Sequence, residues 1–425
     1  MIPRRRWRIA ILLGAGVLVN YFDRVNLSVA HEALHNEFGL SNEGYGYLLS
    51  AYSWTYAALQ LPMGVLLDRF GVKLIGRLSA MVWSLASFGA AAATSVGTFF
   101  GARLLLGVGE APTFPANAKA IGYWFPPQER SFATSIFDAA AKFASGIGVP
   151  LLGLALIRFG WRASFTLTGV ISFLYFVAFY VVYRDPKNDP GLSREEFEYI
   201  KAKNTNPGDN SNRSAPARSA SLRYLLSQPK VVGLAIGFAA YNYCFYLFLT
   251  WLPSYFSTLH MNLQSSLWFT SVPWLFGTFT DLLVGGWMVD KLIRNGYDQS
   301  KVRKSVLLGG TVLGLAIAGA MFTHDPRVAV FWISISLGGL SAAAAVGWSL
   351  PSMIAPPNAV GKVGGIVNFG NQVAAIVAPI MTGYFAGPTN SFARAFGAAA
   401  IILFIGICSY VFLLGRIVPV PEPNI

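Results

Sequence analysis

The sequence predicts an all-α membrane protein of twelve spanning helices, arranged as two pseudo-symmetric bundles of six. Three observations predict it. Hydrophobic types make up 54% of the 425 residues and charged types only 12%, against about a quarter charged in a soluble domain, and mean hydropathy is +0.50. Apolar stretches long enough to cross about 30 Å of hydrocarbon recur along the whole chain. One long polar segment divides them six and six. The same composition excludes a soluble, a fibrous or a disordered protein.

The first predicted span covers 8–30, preceded by Arg4-Arg5-Arg6-Trp7-Arg8. A cleaved signal has a core of about 7–15 apolar residues and a small-residue cleavage site. This run is longer and carries Asp23 and Arg24, so it reads as a retained helix anchored by its arginines. Further spans are predicted at 45–67, 74–94, 97–122, 131–157 and 162–183, then at 230–257, 265–290, 304–323, 328–350, 361–386 and 391–415. The polar stretch 184–229 reads as a cytoplasmic linker with a short amphipathic helix near 193–203 and no role beyond tethering. The expected domains are therefore 1–183, the linker 184–229, and 230–425. Cys244 and Cys408 both lie in apolar segments and read as reduced packing residues.

Orientation follows from lysine and arginine. With the N-terminus in the cytoplasm, 25 of the 32 fall on cytoplasmic segments and four (Arg158, Arg162, Arg327, Arg394) on the other side. The remaining three, Arg24, Arg103 and Lys142, lie inside spans. This asymmetry accounts for the net charge of +13 without nucleic acid. It predicts a multi-pass inner-membrane protein with both termini cytoplasmic, surrounded by lipid and expected to be monomeric.

The halves repeat weakly. Gly64-x-x-x-Asp68-Arg69 follows the second span and Gly286-x-x-x-Asp290-Lys291 the eighth. Pro126-Pro127 and Pro356-Pro357 precede the fifth and eleventh spans 230 residues apart, and at that offset Asp138 matches Asn368 and Lys142 matches Gln372. Two six-span repeats suit a transporter with its site near mid-membrane.

A charge at the bilayer centre costs about 2.5–3.5 kcal/mol even on lenient scales, so the intramembrane charges mark the site. They are Asp23, Arg24, Arg103, Glu110, Asp138, Lys142 and Asp281. Arg103 and Glu110 share a helix face two turns apart, and each is expected to meet a partner from another span, with Asp23 or Arg24 the candidates. Asp138 and Lys142 are four apart and can pair directly; either they form a self-neutralising pair, or Lys142 faces the cavity and binds an anion. A carboxyl in a low-dielectric cavity can take up a proton near neutrality, and Asp23 and Glu110 are the candidates. Asp281 is either a third or a gate residue. Asp68, Arg69, Lys73, Asp290 and Lys291 at cytoplasmic helix ends are expected to form inter-helix ion pairs that gate the cycle. Tyr21, Tyr52, Trp348, Ser349, Asn371 and Gln372 supply hydroxyl, aromatic and amide groups for a polyhydroxylated acid.

No catalytic cluster, metal-ligand spacing or P-loop occurs, and His31, His35, His260 and His324 fall at span ends or in external loops. The chain is therefore expected to be no enzyme, to need no cofactor or metal, and to draw its energy from gradients.

Gly64-x-x-x-Asp68-Arg69-x-Gly71-x-Lys73 resembles the loop signature of the major facilitator superfamily. Asn20-Tyr21-Phe22-Asp23-Arg24 and the stretch from Arg103 through Gly107, Gly109, Glu110, Pro112 and Pro115 to Asn117 are similar to its anion:cation symporter family, which includes bacterial hexuronate, aldonate and aldarate importers and carriers of sialin type. The resemblance covers nearly the whole chain. It implies the major facilitator fold and proton-coupled uptake of an organic anion. It implies proton roles for Asp23 and Glu110, substrate contacts from Arg24, Tyr52 and Asn371, and an Arg103 that holds or tunes Glu110. Sugar-acid members tend to carry an amide where this chain has Lys142; the extra cation implies a second carboxylate or a different acid.

The expected cycle is alternating access. Facing out, protonated Asp23 and Glu110 free Arg24 and Lys142 for a carboxylate; facing in, the acids release protons and compete for those cations. The main alternative is an exchanger of organic acid or organic phosphate without proton coupling. A nutrient sensor would need a larger soluble domain than 184–229, and several interior cations argue against a drug effluxer.

Overall fold

A computed structural model describes residues 4–204, 220–356, 359–387 and 391–421. Among the described residues the chain is helical throughout, with turns and no strand. It divides into two compact units. Met1–Ala33 with Ala51–Ala215 form one, and Leu34–Ser50 with Pro216–Ile425 the other.

Helices cover all twelve predicted stretches. They begin with α1 (Arg5–Val29), the short α2 (His31–Phe38) and α3 (Asn42–Ala91). Next come α4 (Val96–Glu110), α5 (Thr113–Trp124) and α6 (Pro127–Val182). At about 1.5 Å per residue, 50 or 56 residues would be far too long for one crossing. Each of these helices is broken once, at Gly71 (φ 77°, ψ 168°) and Gly160 (φ 82°, ψ 168°). That backbone region is essentially closed to residues with a Cβ, so glycine sets both turns and makes each helix two spans.

Nine stretches among the described residues are long and apolar enough to cross a membrane, and one of them, Ile136–Val182, contains the break at Gly160. The predicted span at 97–122 does not register as one because Pro112 divides it into α4 and α5. Ser95 and Thr98 form a reciprocal capping box at its start. Gln60 Nε2 donates to Ala111 O at 3.3 Å at the break. The helical donor to that carbonyl would be residue 115, a proline, so the amide replaces a missing bond.

After the polar segment come α7 (Arg194–Asn204) and α8 (Leu222–Leu226). The second unit then runs through α9 (Pro229–Ser257), α10 (Leu263–Thr280), a π-turn at Asp281–Met288 and α11 (Val289–Arg294). It continues with α12 (Gln299–Gly314), a 3₁₀ turn at Leu315–Met321, α13 (Pro326–Ile354), α14 (Val360–Ala386), α15 (Ala393–Ser409) and a final π-turn at Tyr410–Leu414.

The expectation that 184–229 only tethers is corrected for its first part; residues 205–219 lie outside the described ones. Asp189 Oδ2 accepts Arg5 Nε at 3.1 Å and Nη2 at 2.9 Å. Glu196 on α7 accepts the main-chain N–H groups of Arg5 (3.0 Å) and Arg6 (3.1 Å) and the Arg6 guanidinium at 2.8 Å. Arg6 also reaches Glu129 at 2.7 Å, and Tyr199 donates to Glu129 at 2.7 Å. The side chains of Asp189 and Glu196 are 1% and 0% exposed. The start of α1 lacks a local side-chain cap, and Glu196 supplies one from 190 residues away. A carboxylate at a helix N-terminus also suits the helix dipole. The short amphipathic helix expected near 193–203 is α7, and its pairing with the arginine cluster makes it part of the N-terminal unit.

Candidate functional site

In the N-terminal unit the sequence-predicted charges converge. Asp23 and Arg24 come from α1, Arg103 and Glu110 from α4, and all four are buried. Glycines let α4 approach closely: a Cβ on Gly109 would lie 2.7 Å from the main-chain nitrogen of Trp83. Glu110 Oε2 accepts Arg24 Nε at 3.0 Å and Nη2 at 2.6 Å. The guanidinium also lies 4.6 Å from the ring centre of Tyr21, 4.8 Å from Tyr52 and 5.7 Å from Tyr56, within cation–π range. Among the described residues, the hydroxyl of Tyr52 and Oε1 of Glu110 are buried without a hydrogen-bond partner.

Asp23 is held differently. Ser87 Oγ donates to Oδ1 at 2.6 Å and Ser172 Oγ to Oδ2 at 3.1 Å. Among the described residues no cation bridges its carboxylate. Arg103 Nη1 instead donates to the main-chain carbonyl of Asp23 at 3.2 Å, with its guanidinium 5.4 Å from the ring of Tyr52. No direct hydrogen bond from Arg103 to Glu110 is seen among the described residues. Arg24 holds Glu110, and Arg103 fixes the backbone that carries Asp23 and Arg24.

Lys142 Nζ lies 3.2 Å from Asp138 Oδ2, so the direct i,i+4 pair is made. Lys142 is 3% exposed and Asp138 25%. In the C-terminal unit, Asn371 and Gln372 on α14 are buried. Among the described residues, both polar atoms of the Asn371 amide, and Oε1 of Gln372, have no hydrogen-bond partner. Trp348 is exposed and meets Phe238 edge to face at 4.9 Å. Ser349 donates to Val346 O within its own helix at 2.7 Å.

The expected cytoplasmic ion pairs do not form among the described side chains. Arg69 is exposed and lies 5.2 Å from the ring centre of Phe70, and Lys291 lies 4.7 Å from that of Trp287. Asp290 is exposed and Lys73 half-buried, neither in a salt bridge. The side chain of Asp68 lies outside those described. No group of three or more metal-ligating side chains occurs among the described residues. Sequence reasoning did not single out Ser87 or Ser172; it counted Tyr56 and Gln60 among the mid-span polar groups, without the contacts to Arg24 and Ala111 that the structure gives them.

The residues 13–297 match the model of the Major Facilitator Superfamily. The chain belongs to this superfamily. It is a secondary transporter of that type and a multi-pass membrane protein, and it is not an enzyme. It is 39% identical to YybO, an uncharacterised transporter of Bacillus subtilis, over 97% of this chain and 94% of that one. It is 33% identical to the probable galactarate/D-glucarate transporter GarP of Escherichia coli K12 over 97% and 95%. It is 30% identical to a D-galactonate transporter of Escherichia coli O6:H1 over 97% and 96%. These names place the relatives with the anion:cation symporter family that the motifs resemble. The fold is shared with a bacterial homologue of the lysosomal transporter Spinster (TM-score 0.76, 16% identity, 97% of this chain and 98% of that one). It is also shared with a D-xylose–proton symporter (TM-score 0.74, 17% identity, 98% of each).

Proposed function

We propose that this transporter takes up an organic anion, a sugar acid or related carboxylate, together with protons, by alternating access of its N- and C-terminal halves. The observation that carries the reading is the buried Arg24–Glu110 pair. An arginine fork can hold a substrate carboxylate as well as it holds Glu110, but a buried carboxylate stripped of its cation is costly. Substrate and Glu110 therefore exclude each other at Arg24 unless Glu110 carries a proton. Names of relatives that handle galactonate, galactarate and glucarate support the chemical class.

Asp23 suits a second proton. Ser87 Oγ lies within reach of both Asp23 Oδ1 and Trp83 O, at 2.6 and 3.1 Å. Its hydroxyl donates to the ionised carboxylate, or turns to Trp83 O and accepts from the protonated acid. Neither state leaves a buried donor unmet. Lys142, released from Asp138, is the second candidate cation, and Tyr21, Tyr52, Trp348, Ser349, Asn371 and Gln372 are the candidate contacts for substrate hydroxyls. The termini are assigned to the cytoplasm by charge asymmetry, and the membrane to the cell (inner) membrane.

The test is uptake by proteoliposomes across a panel of aldonates, aldarates and hexuronates, with and without an inward-directed pH gradient. Accumulation of at least one sugar acid that collapses with a protonophore is expected. Counterflow without net uptake, insensitive to pH, would replace the reading with exchange.

A further inference from the structure

The C-terminal unit contains a recess of about 860 Å³ whose lining includes neither Asn371 nor Gln372. Its walls come from α10, the π-turn and α11 on one side, from α12 on the other, and from α13 behind. Phe276, Val284, Met288, Leu313 and Ile335 make the walls apolar. The floor is made of glycines: a Cβ on Gly310 would strike the main chain of Gly339, whereas one on Gly309 would meet nothing within 4 Å. Along α12 the lining runs from Lys301 to Leu313, about 18 Å at helical rise. That is close to the depth of one leaflet's hydrocarbon, about 15 Å.

Charge is confined to one end. Lys301 and Tyr297 line the mouth, and both are exposed. The surrounding segment 290–304 carries five cations against two carboxylates, Asp290 and Asp298. Asp298 is partly committed, since its Oδ1 accepts the main-chain N–H of Lys301 at 2.7 Å. The charge asymmetry of the sequence assigns this end to the cytoplasmic side.

We infer that this recess is a binding site for one anionic phospholipid of the cytoplasmic leaflet, with an acyl chain along α12 and the phosphate against Lys301. An apolar trough one leaflet deep and closed by a cation has the dimensions and charge of such a molecule. A zwitterionic lipid would fit the trough but gain less at its mouth. The site is independent of the carboxylates that handle protons.

The test uses delipidated, full-length protein titrated with phosphatidylglycerol or with phosphatidylcholine of the same chains, read by native mass spectrometry. One phosphatidylglycerol is expected to bind about fivefold more tightly than phosphatidylcholine, and Lys301→Gln should remove that preference. Gly309→Phe, which projects into open space and relieves a helical glycine, should elute as wild type on size exclusion and lose the bound lipid of either kind. Equal binding of the two lipids to wild type overturns the inference, as does a Gly309→Phe protein that keeps its lipid. A concentration-dependent dimer that Gly309→Phe dissociates would assign the recess to a second copy of the chain instead.

Discussion

The polar centres of the two halves are built on opposite plans. In the N-terminal unit the site residues are charged and mostly satisfied: Arg24 on Glu110, Lys142 on Asp138, Asp23 on two serines. In the C-terminal unit they are neutral and, at Asn371, without a hydrogen-bond partner among the described residues. The difference follows from what each group costs alone. An unpaired buried charge costs several kcal/mol, so a charge that leaves one partner must find another, which is what the proposed exchange between Glu110 and a substrate requires. An unpartnered amide costs about 1–3 kcal/mol, little enough for it to await a substrate hydroxyl. The N-terminal half is suited to energy coupling and the C-terminal half to recognition.

Substitutions can break or sharpen this contrast. The largest effect is expected from Arg24→Ala, which strands Glu110 in the interior. Thermal or denaturant unfolding should show a loss of about 3–5 kcal/mol, and uptake should vanish. Adding Glu110→Gln should return most of the stability and none of the uptake. Additive losses in the double variant would mean the two residues are not coupled. Next comes Asp23→Asn, nearly isosteric, whose amide still accepts from one of Ser87 and Ser172. Stability should change by about 1 kcal/mol or less, while accumulation driven by a pH gradient falls at least about tenfold. Ser87→Ala should show the same loss in weaker form.

Smaller still is Lys142→Gln. Asp138 is a quarter exposed and can be solvated, so stability should fall by only about 1 kcal/mol. A role in binding would appear as a raised KM for diacids relative to monoacids; an unchanged ratio would leave Lys142 a structural partner of Asp138. The smallest effect on stability is expected at Asn371→Ala, which removes unpaired polar atoms at near-neutral cost. Its KM should nevertheless rise about tenfold, because substrate would lose one of its proposed contacts in the C-terminal unit. A strongly destabilised Asn371→Ala would show that the amide serves packing and would end the contrast between the halves.

Much of this was legible in the sequence because its causes are local. Span positions follow from apolar length, including the gaps 68–73 and 158–161 in which the structure places the breaks at Gly71 and Gly160. That Glu110 would find a cation on the first span followed from the cost of burying it alone. What stayed hidden depends on tertiary register. Serines are common in membrane helices and commonly bond their own turn, as Ser84 does to Ala80 O, so nothing marked Ser87 and Ser172 as the ones that reach Asp23. Arg103 shares a helix face with Glu110, yet its reach to the carbonyl of Asp23 depends on how α4 meets α1. Residues 184–204 read as a tether because composition weighs polarity and cannot see that Arg5 and Arg6 lie opposite Asp189 and Glu196.

The most direct measurement is made on Glu110→Gln in proteoliposomes, comparing uphill uptake driven by a pH gradient with counterflow between equal substrate pools. Substrate without the gradient should still exchange, because Arg24 remains and its competitor has become neutral. Uphill accumulation should be lost. A Glu110→Gln protein that still concentrates substrate against its gradient would contradict the role given to the Arg24–Glu110 pair.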